Sequence, residues 1–353
     1  MRIRVGFLGA GPRGRAHAQA YAGLVDRVEL VAVADLDAER RDAFAEEFAI
    51  PRRYESYPEM LQTERLEVLH IAAPVTVRTE PIRAAAEAGV PLIVSEKPIA
   101  VHRREYDTLL QIVERAGAQL VINHQLRYQT NWQKVYEAVS TDRLGEVRRI
   151  LVSCRGNLLS QGTHLLDLVV MMVGDPGPGR AIATVYGEGD FATTHPSPDN
   201  SVGVLLFESG LVVDCFLGPD APPILGEESF WLTFGMRVLG EEGRAEASLE
   251  GGYRLWGRGD SRWEQERIDY GKQDREAQAA FTADLLRVLE EPGFRHPCDA
   301  RVGRISYEWL EALALSGGLS TPVRFPLPEG VSGLAMLAER ARARRALGAL
   351  TEP

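Results

Sequence analysis

An α/β fold in two domains is predicted by three observations. Short apolar runs alternate with helix-patterned stretches over the first 125 or so residues; a glycine-rich turn ends the first run; and beyond that region strand signals dominate, separated by Gly- and Pro-rich turns. Strands that read as continuous apolar runs between helices make a parallel sheet covered on both faces, so residues 1–124 are expected to form a doubly wound open sheet. Residues 125–353 are expected to form an α+β domain on a large, mostly antiparallel open sheet. A chain of 353 residues exceeds one ordinary core, in keeping with two domains.

The elements follow in order. Arg4–Ala10 is an apolar strand ending in glycines, and Pro12–Leu24 is a helix with proline in its first turn. Val28–Asp35 is the second strand, followed by the charged helix Asp37–Phe48. Leu66–Pro74, Pro91–Glu96 and Gln119–His124 are further strands; Val77–Ala88, stopped by Gly89, and His102–Ala116 are the helices between them. Past residue 125 come a helix (Asn131–Thr141), a strand (Val147–Cys154) and a very apolar helix (Thr163–Val173). Strands dominate from Ile182 to about Tyr270, and helices close the chain near 275–290, 300–315 and 331–347. In 201–207 and 211–217 both faces are apolar apart from Asp214, whereas a sheet with one solvated face alternates apolar and polar. A second copy of the chain is the expected cover, giving a homodimer or homotetramer, with a loop or the C-terminal segment as the alternative.

Composition narrows the function. A formal net charge of −10 disfavours nucleic acid as a partner, because phosphate binding needs a basic surface. No apolar run approaches the ~20 residues needed to span a bilayer, and no secretory leader is recognisable. Cys154, Cys215 and Cys298 are odd in number and far apart, which fits a reducing cytoplasm better than a disulfide framework or a zinc site, and no metal is expected. Lys97, Lys134 and Lys272 are the only lysines; since arginine stays protonated, each lysine raises the question of what arginine could not do there.

Gly9-Ala10-Gly11-Pro12-Arg13-Gly14 is G-x-G-x-x-G between the first strand and the first helix. Gly9 permits the tight turn, Gly11 lets backbone approach a pyrophosphate, and Gly14 lets helix and strand pack closely. The helix N-terminus offers free N–H groups and the positive end of its dipole. Asp35 ends the second strand about 20 residues on, where a carboxylate takes the adenine ribose hydroxyls. This is a Rossmann fingerprint, and Asp35 favours NAD over NADP because it repels a 2′-phosphate, a preference tempered by Arg40 and Arg41. Arg13 is read equally as a phosphate contact or an exposed side chain, and His17 as packing or capping.

Two segments carry chemistry. Ser95-Glu96-Lys97-Pro98 lies at the carboxyl end of a strand, on the edge where ligands bind. A lysine there can shuttle the proton of a substrate hydroxyl, with Pro98 fixing its backbone through a cis bond. Gln161-Gly162-Thr163-His164-Leu165-Leu166-Asp167 opens the apolar helix, with Thr163 as N-cap and Gly174 as its stop. His164 and Asp167 share a face, and burying both without partners would cost several kcal/mol, so they pair or line a cavity.

The segments GAGPRGRAH, AAP (through Ala73 and Pro74), EKP, NHQLRY and GTHLLD together resemble the glucose–fructose oxidoreductase/inositol dehydrogenase (Gfo/Idh/MocA) family, from Ile3 to about Phe325. The resemblance implies a Rossmann domain and a C-terminal α/β domain whose open sheet serves in dimers or tetramers. It implies NAD(P)-dependent interconversion of a secondary alcohol and a ketone on sugars or cyclitols. Glu96 and Lys97 then flank the nicotinamide ribose and the substrate, with Lys97 a proton relay. His164 matches the catalytic histidine and Asp167 the aspartate one turn beyond. Asn123, His124 and Arg127 match positions near nicotinamide and substrate. Two positions depart from the pattern. Ser160 stands where many members carry an aspartate, and Arg78 occupies a region where a histidine often follows the alanine-proline turn; an arginine there would favour an acidic substrate.

The expected function is thus an NAD-dependent dehydrogenase of a sugar, cyclitol or related polyol. Lys97 and His164 are its catalytic candidates, contributed by separate domains, while Asp167, Arg127, His124 and Ser160 line the substrate. The alternatives are an NAD(P)-responsive regulator without activity, and an NAD-dependent glycosidase on the same scaffold.

Overall fold

The computed structural model describes residues 2–351 apart from 188, 190, 192–194, 226–228 and 230–231. They form two compact units. The first comprises Met1–Ala100, Glu105–Tyr128 and Asp274–Gly303; the second comprises Val101–Arg104, Gln129–Gln273 and Arg304–Pro353.

In the first unit, β1 (Ile3–Leu8), α1 (Pro12–Gln19), β2 (Val28–Ala34), α2 (Ala38–Glu47), β3 (Arg52–Tyr54), α3 (Tyr57–Thr63), β4 (Val68–Ile71), α4 (Thr79–Glu87), β5 (Leu92–Ser95), α5 (Arg103–Arg115) and β6 (Gln119–Ile122) succeed one another. All six strands pair in parallel in the order β3-β2-β1-β4-β5-β6, the predicted doubly wound sheet. Val68–Ile71 and Leu92–Ser95 are buried at every position, as strands covered on both faces must be. The expected first helix ends early, at Gln19, and a separate 3-10 turn holds Ala22–Leu24. β3 and α3 were not anticipated, because neither has an apolar period: β3 is an edge strand reading Arg-Arg-Tyr.

The second unit contains α6 (Thr130–Ser140), β7 (Val147–Cys154), α7 (Gly162–Val173), β8 (Gly179–Tyr186), β9 (Asn200–Phe207), β10 (Val212–Leu217), β11 (Phe234–Gly240), β12 (Arg244–Ser248), β13 (Gly252–Trp256) and β14 (Glu264–Glu266). Further along the chain come α8 (Tyr270–Glu290), which from Asp274 on belongs to the first unit, α9 (Ala300–Leu319), β15 (Val323–Phe325) and α10 (Gly333–Thr351). Nine strands pair in the order β14-β13-β12-β11-β7-β10-β9-β8-β15, antiparallel except for β7 with β10. Ile150, Val152, Leu205, Val213, Cys215 and Leu217 are buried on one face. The other face is mixed, which refines the expectation of apolar residues on both sides. Ile182, Tyr186 and Leu206 are exposed on β8 and β9, whereas further along the sheet Asp214 pairs with Arg149, and Glu246 with Arg237 and Arg254.

The boundary at residue 124 needs correction, because Asp274–Gly303 returns to the first unit. Phe281, Leu285, Leu286 and Cys298 join the cluster built on Val5, Phe7, Val94 and Val121. The returning chain also covers the edge of β6, where the Ile122 N–H donates to Cys298 O at 3.0 Å and Val121 bridges Asp299. An open sheet edge presents unpaired backbone groups, and this segment satisfies them.

Candidate active site

The phosphate turn has the geometry its glycines foretell. Gly9 adopts φ +99°, and a Cβ there would stand 3.1 Å from the Ala72 backbone. A Cβ on Gly14 would lie 2.1 Å from Gly9 O, so the turn and helix close only around glycine. At Gly11 a Cβ would meet nothing within 4 Å. That open space before the first turn of α1, where Pro12 occupies the first helical position, fits a dinucleotide pyrophosphate.

Asp35 stands just past β2 and is nearly buried. Its Oδ2 accepts from Ala10 N at 2.8 Å and Arg40 Nε at 3.2 Å; its Oδ1 accepts from Asp37 N and Arg40 Nη2, both at 2.9 Å. Burial pushes the carboxyl up, but Arg40 and the two backbone amides more than offset it, and Asp35 is held below its ordinary value. The half-exposed Arg40 fork therefore already occupies the carboxylate, and ribose hydroxyls reach it by joining or displacing that fork.

Glu96 follows β5 and is 4% exposed. Three side chains donate to its Oε1: Arg13 Nε at 2.8 Å, His17 Nε2 at 2.9 Å and Asn123 Nδ2 at 2.9 Å. Burial pushes this carboxyl up, yet Arg13, His17 and Lys97 hold it well below the carboxylate range, so it is an anion. Arg13, read from sequence as phosphate contact or surface, spends its Nε on Glu96, and His17 does more than pack. Asn123 is wholly buried, its amide closed in a reciprocal pair with Gln278 at 3.1 and 3.2 Å. It therefore braces Glu96 from the loop after β6. Lys97, half-buried, lies beside this anion, joined to Pro98 by the expected cis bond.

Arg78 corrects one expectation. It is buried, and its guanidinium binds three backbone carbonyls: Ala73 O at 2.6 Å, Glu96 O at 2.7 Å and Pro98 O. Burial pushes it down to about 10 against the pull of the Glu96 charge. It ties the loop after β4, carrying Ala73 and the exposed Pro74, to the loop after β5, and so serves the backbone in place of an acidic substrate. His124 and Arg127 are buried in the loop after β6. His124 O accepts from Cys298 Sγ at 3.7 Å, and Arg127 Nη1 donates to Pro297 O at 3.2 Å, so the returning segment holds both.

In the second unit, Asn157 organises the turn before α7, with Ser160 N on its Oδ1 at 2.8 Å and Gly162 N on its carbonyl at 3.2 Å. The helix starts at Gly162 with Gln161 at the cap, so Thr163 is no N-cap; its hydroxyl donates to Ser160 O instead. Gly174 ends the helix at φ +70° as expected. His164 (8% exposed) and Asp167 (1% exposed) are the polar groups of an otherwise apolar buried helix. Ser160 is half-buried.

Sequence reasoning missed His70, Tyr21 and Gln278. His70 sits inside the apolar run of β4 and passes for core; its Nδ1 lies 2.8 Å from His17 Nδ1 and its Nε2 2.8 Å from Tyr21 Oη.

Comparison with known proteins agrees with this geometry. The profile described as "Oxidoreductase family, NAD-binding Rossmann fold" of the Gfo/Idh/MocA family matches residues 3–124. The chain is 29% identical to D-apiose dehydrogenase of Paraburkholderia graminis over 238 residues, 61% of this chain and 60% of that protein. It is 29% identical to inositol 2-dehydrogenase of Rhizobium meliloti over 155 residues, 44% of this chain and 46% of that protein. The matches thus span less than two thirds of these relatives. The solved structure of levoglucosan dehydrogenase with NADH and levoglucosan superposes with a TM-score of 0.80 at 17% identity, covering 93% of this chain and 100% of that one, a likeness of fold. Over residues 3–124 the chain is thus similar to the NAD-binding Rossmann domain of the Gfo/Idh/MocA oxidoreductase family.

Proposed function

We propose that the protein is an NAD-dependent dehydrogenase that interconverts a secondary alcohol and a ketone on a sugar, cyclitol or related polyol. The observation that carries this reading is the placement, within one unit, of an open phosphate turn at Gly11 and of the Glu96 anion with Lys97 beside it. When bound, the nicotinamide accepts the two electrons and the hydrogen of the substrate carbinol as hydride. The chain's own residues handle the remaining proton: the Lys97 amine takes it from the substrate hydroxyl, and His164 is the second candidate acceptor. Asp35 favours NAD over NADP, with Arg40 reducing the margin. Asp167, Ser160, His124 and Arg127 are the candidate substrate contacts. Cys154, Cys215 and Cys298 are buried and outside any disulfide, which supports a reducing compartment.

The test is an assay with NAD over sugars, sugar acids and cyclitols, repeated for Lys97→Met and His164→Asn. Reduction of NAD that falls at least 100-fold in one of these variants, with NADH affinity kept, supports the reading. Tight NADH binding with no turnover across the panel overturns it in favour of a regulator, and sugar release without net NADH points to a glycosidase.

A second copy of the chain is the proposed cover for the apolar half of the open sheet, where Ile182, Tyr186 and Leu206 are exposed beside the partly exposed Val202, Val204 and Phe216.

A further inference from the structure

Three buried side chains of the first unit form a continuous hydrogen-bonded line that ends on Glu96. Tyr21 Oη meets His70 Nε2 at 2.8 Å, His70 Nδ1 meets His17 Nδ1 at 2.8 Å, and His17 Nε2 meets Glu96 Oε1 at 2.9 Å. All four residues are at most 4% exposed. They come from three separate parts of the sequence: His17 and Tyr21 lie in and just after α1, His70 is in β4 and Glu96 follows β5. His70 is further fixed by stacking on Phe7, with ring centroids 5.2 Å apart and planes 15° from parallel.

The protons on this line can be assigned. Each neutral imidazole has one donor and one acceptor nitrogen, and two facing Nδ1 atoms share one proton. Burial, against the pull of the Glu96 charge, holds His70 well below its ordinary value, so His70 is neutral. Burial likewise keeps the Tyr21 phenol protonated. With His17 neutral as well, one arrangement satisfies every contact: Tyr21 O–H donates to His70 Nε2, His70 Nδ1–H to His17 Nδ1, and His17 Nε2–H to Glu96. If His17 carried a second proton, His70 would have to turn its own proton toward Tyr21. The phenol hydrogen would then lack an acceptor among the described residues, at the cost of an unsatisfied buried group.

We propose that His17, aligned by His70 and Tyr21, is a positioning residue: it directs a hydrogen bond onto Glu96 and holds that carboxylate ionised and oriented beside Lys97. The other charged and polar groups facing Glu96 are Arg13 from α1, Asn123 after β6, Lys97 itself and Arg78, whose guanidinium lies on the Glu96 backbone and feels the carboxylate charge. His17 is the donor whose proton is fixed by a line behind it. The proposal rests on the dehydrogenase reading for its consequence, that Lys97 works next to a permanent anion, whereas the proton line itself does not depend on turnover.

A hydrogen bond from a neutral donor to a charged acceptor is strong enough to lower a carboxyl by about one to two pH units. Protein carrying [5-13C]glutamate, with the Glu96 signal assigned through Glu96→Gln, gives its ionisation directly. His17→Leu, which has no donor, should raise the Glu96 midpoint by about one unit or more, and His17→Gln, whose amide reaches a similar place, should restore most of it. 15N spectra of histidine-labelled protein should show His17 as the Nε2–H tautomer and His70 as the Nδ1–H tautomer. The acid limb of the kcat/KM profile should move with the Glu96 midpoint. An unmoved Glu96 midpoint in His17→Leu, or the opposite tautomers, overturns the proposal whether or not the enzyme turns over. A moved midpoint in a protein inactive on every substrate leaves the proton line standing and removes the dehydrogenase reading.

Discussion

Gly11 and Gly14 are both small residues of one turn, yet substitution by alanine should separate binding from folding. At Gly11 the added methyl meets nothing within 4 Å, and the backbone there (φ −74°, ψ −173°) suits any residue. Gly11→Ala should therefore change stability by no more than about 1 kcal/mol, and toward stabilisation if the loss of glycine's freedom in the unfolded chain decides it. The same methyl enters the space where the pyrophosphate is expected. Hydrogen bonds from backbone amides to a charged group contribute about 1.5–3 kcal/mol each, so pushing the phosphates off one of them should weaken NADH by about 10- to 150-fold, and off two by more. Gly14→Ala is the contrast. Its methyl would stand 2.1 Å from Gly9 O, a backbone atom that cannot rotate away. The turn must move, and a stability loss at or above the usual ~1–3 kcal/mol of overpacking should follow. Nicotinamide fluorescence titration and urea denaturation on both variants read the two effects. Should Gly11→Ala bind NADH within about threefold of the parent at unchanged stability, the pyrophosphate is not at this turn and the placement of the cofactor fails.

Other perturbations follow from the same contacts. Arg78→Met strands three loop carbonyls and should cost about 2–5 kcal/mol in urea denaturation without changing the preference between neutral and acidic substrates; a selective loss of acidic substrates would return Arg78 to the substrate pocket. Leu206→Glu places a charge on the apolar half of the open sheet and should shift sedimentation from oligomer to monomer; an unchanged oligomer would put the subunit contact elsewhere. Acid should destabilise the protein through His296, which burial pushes down to about 4. Above pH 6.5 both folded and unfolded states hold it neutral, whereas between 6.5 and 4 only the unfolded state takes the proton, so stability falls as pH drops through that window. This residue alone should remove about 2 kcal/mol between pH 7.5 and 5, a fall that His296→Gln should flatten.

What the sequence discloses and what it hides divide along physical lines. Apolar runs of β1, β2, β4, β5 and β6 announce a parallel sheet because each is largely buried, and the phosphate turn is readable because Gly9 and Gly14 answer local backbone demands while Gly11 leaves open space for a ligand. The return of Asp274–Gly303 to the first unit is hidden. α8 reads as an ordinary amphipathic helix, and nothing in its spacing says that Phe281, Leu285 and Leu286 pack against Phe7 and Val94. Arg78 misleads because a loop arginine is read by its charge, while its fork of donors is taken by carbonyls. His70 is masked by composition: one imidazole in a run of aliphatic residues passes for core until Tyr21 and His17 are seen at its two nitrogens.

The position of Glu96 suggests how cofactor and chemistry are joined. The phosphate turn belongs to β1 and the Glu96-Lys97 pair to β5, with β4 between them in the sheet. α1 crosses that interval through side chains: Arg13 and His17, four residues apart and so on one face, both reach Glu96 Oε1. The helix whose first turn is proposed to receive the phosphates thus also supplies two of the three donors that order the carboxylate, and substitutions in α1 should disturb both together. Asn123 reaches Glu96 from the loop after β6, supported by Gln278 of α8. Gln278→Leu leaves the buried Asn123 amide without its partner at a cost of about 1–3 kcal/mol, and Asn123 then loses its hold on Glu96. NADH affinity should stay within about twofold while kcat falls by about tenfold, since one positioning bond of roughly 1.4 kcal/mol is lost from the reacting end alone. If NADH binding weakens as much as kcat falls, Glu96 is part of the cofactor grip itself, and its separate role beside Lys97 is refuted.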